Sequence, residues 1–157
     1  MSAVTIRPAE PRDVPAMAAI RAEVWETQKY WEARVAAYLA GNIGAQQALP
    51  EHAVFVAEVE GAVVGLAAGH RTTRHGCQGE LEWINVARSQ QRGGVAGQLL
   101  AAMAAWFVGK AALRVCVNVA PDNDAARMFY AKYGAAELKP FWMVWGDIRA
   151  VADRKSD

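Results

Sequence analysis

The chain opens on a short apolar run, Val4 to Arg7, that predicts a first strand. Asp13 with Pro15 two residues on marks a helix start, because proline is tolerated in the first turn. Val14, Met17, Ala18, Val24 and Trp25 then recur roughly at helical spacing, and a second helix over Tyr30 to Leu39 repeats the pattern with Trp31, Val35 and Leu39. The break at Gly41 to Pro50 precedes two β-rich runs, Val54 to Val59 and Ala62 to Gly69, which meet at Glu60-Gly61 and read as a tight antiparallel hairpin. From Glu80 to Val86 the pattern alternates with period two. It puts Glu80, Glu82, Ile84 and Val86 on one face and Leu81, Trp83 and Asn85 on the other, so two carboxylates share a face.

A glycine-bearing loop leads into a helix over Gly94 to Val108, with Val95, Leu99, Met103 and Trp106 three or four apart. Ala112 to Val119 predicts another strand. Asp122 or Asn123 can cap the next helix, on which Ala126, Phe129, Tyr130 and Tyr133 line one face until Gly134 ends it. Ala136 to Leu138 and Phe141 to Ile148 complete the strands. The order β-α-α-β-β-β-α-β-α-β-β predicts a mixed α/β domain over residues 1–150, with 151–157 as a tail and no internal repeat or linker.

Composition narrows the function classes. The 157 residues are 54% hydrophobic and 21% charged, which suits one globular domain with a substantial core. Lys and Arg number 17 against 16 Asp and Glu, so no net field draws in nucleic acid or an acidic membrane surface. No apolar run approaches the roughly 20 residues that cross a bilayer, and the start MSAVTIRPAE lacks the features of a signal peptide, so a cytoplasmic location is expected. Cys77 and Cys116 cannot make a disulfide framework and read as reduced thiols. His70, His75 and Cys77 lack a fourth ligand at suitable spacing, and no metal is expected.

The most informative segment is Gln91-Arg92-Gly93-Gly94-Val95-Ala96-Gly97, between a strand and a helix. Glycines let a backbone come close, N–H groups at a helix start converge on one anion, the helix dipole favours negative charge, and Arg92 adds a charged fork. These features describe a pyrophosphate cradle; a helix entered through a flexible turn is the competing reading. Neither GxGxxG nor GxxxxGK[ST] occurs here, which sets dinucleotides and ATP back.

Gln91, Gly94 and Ala96 form Q-x-x-G-x-A, which resembles the Q/R-x-x-G-x-G/A signature of the GNAT N-acetyltransferase superfamily. Downstream, VNVAPDNDAARMFYAKYGA is similar to that family's second stretch, with Asn123, Ala126, Phe129-Tyr130 and Gly134 at the family spacing. GELEWINV resembles its central strand, and the element order also matches. Two departures stand out: Ala135 replaces a usual aromatic, and Asn85 stands where Tyr is common.

The resemblance implies a mixed, mostly antiparallel central sheet of about seven strands flanked by about four helices. It also implies acetyl-coenzyme A as cosubstrate, with its pantetheine arm between two splayed strands and paired to backbone groups at Ile84, Asn85 and Val86, one of which would supply the oxyanion donor. Tyr130 matches the family tyrosine that faces the sulfur, and a phenol can protonate a departing thiolate; without the family it is one member of an amphipathic helix face. Glu80 and Glu82 are candidate bases, directly or through water, since apolar walls raise a carboxylate pKa; two solvated strand carboxylates are the alternative. Asn123 bonds the pantetheine arm, caps its helix, or does both.

The family sets acceptor specificity in the first two helices and the last strands. Here these carry Trp25, Tyr30, Trp31, Trp142 and Trp145 with Glu23, Glu26 and Glu32 nearby, and Trp83 lies on the central strand. Such an aromatic, partly acidic pocket suits an amine of a small molecule or peptide. Other readings keep the fold without catalysis, as an acyl-coenzyme A sensor or an interaction module. The FWMVW run, taken as an exposed edge, predicts a homodimer.

Overall fold

A computed structural model describes residues 3–91 and 93–153. The elements are β1 (Val4–Pro8), α1 (Val14–Ala22), α2 (Gln28–Leu39), β2 (Ala48–Val59), β3 (Ala62–Thr72), β4 (Gly79–Val86), α3 (Val95–Gly109), β5 (Val115–Asn118), α4 (Asp124–Lys132), β6 (Ala136–Lys139), β7 (Trp142–Trp145) and α5 (Arg149–Asp153). Their order through β7 is the one the hydrophobic pattern predicts. They form one seven-stranded sheet, β1-β2-β3-β4-β5-β7-β6, in which only β4 and β5 run parallel. The Glu60-Gly61 hairpin joins β2 to β3, with φ of 52° and 82°, the positive pair that matches strand twist. The chain does not come loose at 151: α5 carries it on, and Val151 is 2% exposed in the core beside Ile148. Residues 154–157 of the expected tail lie outside the described residues.

Each face of the sheet has its own core. Helices α1 and α2 bury Met17, Ile20, Trp31, Val35 and Tyr38 against Val56, Leu66 and Trp83 on one face. On the other, α3 and α5 bury Leu99, Met103, Phe107 and Val151 against Leu81 and Val115, and Tyr130 of α4 joins them. α3 lies so close that a Cβ at Gly69 would stand 2.5 Å from Met103 Cε, and one at Gly79 2.5 Å from Phe107 Cε1. The start of α1 is anchored by Arg7, which donates to both oxygens of Asp13 at 2.8 and 2.9 Å and to Glu58 at 3.1 Å. Among the described residues no helix is long and apolar enough to cross a membrane.

Two irregularities shape the middle of the sheet. β4 and β5 pair only at Gly79–Val115, Glu80–Cys116 and Leu81–Val117; beyond that β4 continues to Val86 while β5 stays with β7. The strands therefore part at Leu81. At the same level Gly69 faces Leu81 but Ala68 faces Trp83, so Glu82 is an extra residue, a β-bulge. The bulge corrects the strict alternation expected for β4: Leu81, Ile84 and Val86 pack toward α3, whereas Trp83 joins the α1–α2 side, as do the two carboxylates. One added residue reverses the facing of all that follow.

The last strand also departs from expectation. β7 lies between β5 and β6 rather than at an edge, and Trp142, Met143, Val144 and Trp145 are all buried. The FWMVW run is core, and the edge argument for pairing two copies falls away; only Phe141 of the run is exposed.

Candidate active site

The parting of β4 and β5 opens a cavity of about 930 Å³ that runs from the start of α3 to the underside of α1 and α2. At the α3 end its wall includes Gln91, Gly94, Val95, Ala96 and Gly97. Gly94 occupies the helix N-cap at φ 79°, a left-handed conformation that favours glycine, and offers no side chain to the first-turn N–H groups. Those donors face whatever enters. Gln91 donates through Nε2 to the Val86 carbonyl at 3.1 Å, pinning the loop to the end of β4. A Cβ at Gly97 would collide with the Tyr133 hydroxyl. Gly93 is exposed and does not line the cavity, and Arg92 lies outside the described residues.

Along β4 the backbone alternates in direction. Ala87 N–H bonds to Val64 O at 2.8 Å, which fixes Asn85 and Trp83 as the residues whose backbone groups face β3, and turns those of Ile84 and Val86 toward the parted side. With the Val86 carbonyl taken by Gln91, the Ile84 N–H and C=O and the Val86 N–H are the groups a guest strand could pair with. Asn85 serves differently from the expectation: its side-chain oxygen accepts from Arg21 Nη1 at 2.8 Å. Asn123 caps α4, accepting from Ala126 N–H at 3.2 Å, and also lines the cavity with its amide nitrogen left over.

Tyr130 projects from α4 into the same cavity, packed edge-on against Trp145 and Phe129. Burial raises its pKa to about 12, with the positive charge of Arg21 pulling the other way. Its hydroxyl makes no hydrogen bond among the described residues.

The two carboxylates are not solvated. Glu80 is 4% exposed and Glu82 is largely buried, and both line the cavity. Between them sits the fully buried His70 of β3, with Nε2 3.5 Å from Glu80 Oε1 and Nδ1 3.9 Å from Glu82 Oε1. The Tyr38 hydroxyl is 2.8 Å from His70 Nδ1. His70 therefore belongs not with His75 and Cys77 but with the carboxylates, and the three form a buried group whose nearest donor atoms all lie within 4.8 Å of one another. Glu80 Oε1, Glu82 Oε1 and His70 Nε2 are buried with no hydrogen-bond partner among the described residues. Burial, reinforced by the charge of Glu80, raises the pKa of Glu82, and burial raises that of Tyr38 well above the usual phenol range.

On the α1–α2 side Trp31 and Trp83 line the cavity, ring to ring at 5.8 Å, but Trp25 and Tyr30 stand outside it, 59% and 44% exposed. They continue the edge-on aromatic row outward, Tyr30 to Trp31 at 4.9 Å and Trp25 to Trp31 at 6.0 Å. Trp142 and Trp145 are core residues away from the cavity wall; Trp142 packs with Cys77 and Cys116, and Trp145 donates to the Tyr133 carbonyl. Glu23 is occupied by the backbone of Arg88 at 3.0 Å. The Arg21 guanidinium lies 4.1 Å from the Trp31 ring and 5.3 Å from Trp83, while Arg34 stands 5.5 Å from Trp83. The aromatic faces expected to cradle an amine cation already carry guanidinium groups.

A model of the acetyltransferase (GNAT) family matches residues 16–135, from α1 to the end of the α4 turn. The chain belongs to this family. It is an acetyltransferase with acetyl-coenzyme A as cosubstrate, and the cavity between β4 and β5 fits that assignment. Among solved structures it is similar to Ard1 from Thermoplasma volcanium, with 26% identity and a TM-score of 0.72 over 87% of this chain and 85% of that one. The PaiA N-acetyltransferase from Thermoplasma acidophilum, solved in complex with coenzyme A, shares 15% identity at a TM-score of 0.68, covering 92% of this chain and 99% of that one. A ribosomal-protein-alanine N-acetyltransferase from Escherichia coli shares 20% identity at 0.63, covering 87% and 80%. These two likenesses establish the common GNAT fold. No curated protein sequence matches the chain.

Arg21 and Tyr38 of the site are absent from the sequence reading, which groups His70 with His75 and Cys77 instead of with the carboxylates. Each of the three sits on an element that meets β4 only through the sheet order or the α1–α2 packing, so its sequence neighbours carry no sign of the carboxylates it faces. The one available signal was polar: Arg21 interrupts an apolar stretch and His70 closes one, and a polar residue so placed must find a partner.

Proposed function

We propose that this chain transfers the acetyl group of acetyl-coenzyme A to a primary amine of a small molecule or peptide, by direct attack in a ternary complex. The observation that carries the reading is that one cavity joins an uncapped helix start, a parted strand edge, a buried tyrosine and a buried carboxylate pair. The α3 N-terminus suits the pyrophosphate, because its N–H groups and dipole favour an anion. The free groups of Ile84 and Val86 suit the amides of the pantetheine arm, which would lie in the gap as an extra strand.

Chemistry then falls to side chains at the level where the strands part. The amine must lose a proton, and Glu82, its pKa raised by burial and the charge of Glu80, takes it at the acceptor side, beside His70 and Glu80. The nitrogen forms its bond to the acetyl carbon and the carbon–sulfur bond breaks. A β4 backbone N–H, Ile84 or Val86, steadies the oxyanion. Tyr130 returns a proton to the departing thiolate, and the low dielectric that lifts its pKa disfavours the thiolate as well.

Calorimetric titration with acetyl-coenzyme A, beside NAD and ATP, tests the site, and release of free thiol in the presence of amines tests the chemistry. Binding of acetyl-coenzyme A alone, with acceptor-dependent thiol release, is the expected result. Binding with no release for any amine would favour an acyl-coenzyme A sensor, and no binding would overturn the reading.

A further inference from the structure

Arg21 is a half-buried charge whose guanidinium is only partly hydrogen-bonded among the described residues. It lines the cavity near the end of α1, and burial lowers its pKa to about 10, a shift that the nearby Glu82 only partly offsets. No carboxylate among the described residues reaches salt-bridge distance of it. Its Nη1 donates to Asn85, but Nε is buried without a partner, and Nη2 makes no hydrogen bond among the described residues. With Nε covered, Nη2 is the charged donor that this side chain, which lines the cavity, can offer to a carboxylate oxygen. Trp31 and Trp83 flank the guanidinium, their ring centroids 4.1 and 5.3 Å from it, so the group is already held in place.

A cation drawn partly out of water and left without a carboxylate is costly, because no paired charge offsets its desolvation. The cavity that holds this guanidinium also holds Glu82, the group placed to take a proton from the acceptor amine. One end of the acceptor thus meets a base and another meets an oriented cation. We infer that the acceptor is an amino carboxylate, an α-amino acid being the simplest, whose carboxylate is held by Nη2 of Arg21 while its amine faces Glu82. This inference rests on the acetyltransferase reading of the site and narrows it. It also gives Asn85 a role: by occupying Nη1 it leaves Nη2 for the guest.

The test compares matched acceptors in the thiol-release assay: the common α-amino acids, their carboxamides, and the amines that remain when the carboxylate is deleted. With the wild-type protein the best amino acid should exceed its own amide in kcat/KM by about tenfold or more, the worth of a charge-assisted pair. The amide is the stricter control, because its amine is less basic and more of it is neutral. In Arg21→Met the acid-to-amide ratio should fall to about one, and Arg21→Lys, which keeps the charge and loses the guanidinium, should lie between.

Amides or plain amines turned over as well as the acids by the wild type would overturn the inference. So would an Arg21→Met variant that slows acid and amide by the same factor, since that pattern would assign Arg21 to tuning Tyr130 instead. Acetyl-coenzyme A binding without turnover of any amino acid would overturn it while leaving the cofactor site standing. Absence of acetyl-coenzyme A binding would overturn both readings together. Melting curves and acetyl-coenzyme A affinity of the variants establish that each is folded.

Discussion

The proposed donor and acceptor ends of this cavity are built from different materials. At the donor end the contacting groups are main-chain: the α3 first turn, the Ile84 and Val86 amides, and glycines that keep the approach clear. At the acceptor end they are side chains from three elements, Arg21 from α1, Trp31 from α2 and Glu82 from β4, with His70 of β3 and Tyr38 of α2 buried behind the carboxylate. A main-chain site depends on local geometry, so few substitutions can damage it and those that do act by shape. A side-chain site depends on tertiary placement, and each member can be altered singly. The first kind suits a ligand common to a family; the second suits one that differs between its members.

That contrast predicts graded effects. The largest should come from Gly94→Glu, which places bulk and negative charge at the helix start and forces a side chain into the left-handed region; acetyl-coenzyme A binding should be lost in calorimetry while the protein stays folded. Retained affinity in this variant would remove the main-chain account of the donor end. Next, Tyr130→Phe should lower kcat by roughly 10- to 10,000-fold with acetyl-coenzyme A affinity little changed, the range of lost acid catalysis. An unchanged kcat would take the acid role from Tyr130. Glu82→Gln should cost roughly 100-fold in kcat/KM at neutral pH, again without loss of donor affinity.

Smaller effects sharpen the acceptor end. Because burial and Glu80 hold Glu82 above the usual carboxylate range, kcat/KM should rise with pH along a limb that lies above that range, as Glu82 loses its proton. Glu80→Gln removes a neighbouring negative charge, favours ionised Glu82 and should move that limb to lower pH. If activity instead collapses, Glu80 rather than Glu82 is the base. The smallest effect is on stability. The folded state holds the Glu82 proton more tightly than the unfolded chain, so the cost of burying its charge appears as pH rises from the unfolded-state pKa through the folded one. Glu82→Gln should therefore melt higher than wild type at neutral pH, and the difference should shrink in acid.

The same contrast explains what the sequence made legible. The element order, the Glu60-Gly61 hairpin, the glycine loop and the Asn123 cap are local features whose cause and effect lie within a few residues, and the structure has each of them. The bulge at Glu82 is not local: it arises where β3 and β4 exchange register, and periodicity alone put Ile84 and Val86 on the wrong face. The burial of β7 follows from β6 folding back beside it, a pairing order that no pattern within FWMVW encodes. The partners of Glu80 and Glu82, His70 among them, became visible only once β3 lay alongside β4.

In the proposed complex, the parting of β4 and β5 makes the acetyl donor a piece of the fold as well as a reactant. With only three rungs joining them, the two halves of the sheet are coupled weakly at their centre, and a guest that pairs with Ile84 and Val86 adds rungs the polypeptide does not supply. Amide hydrogens at those two residues should exchange with solvent quickly in the free protein and slowly in the complex, while those of Trp83 and Asn85, bonded to β3, change little. Each catalytic cycle would then loosen and re-stitch the middle of the sheet, so the resistance of this protein to heat and proteolysis would follow the ratio of coenzyme to protein around it.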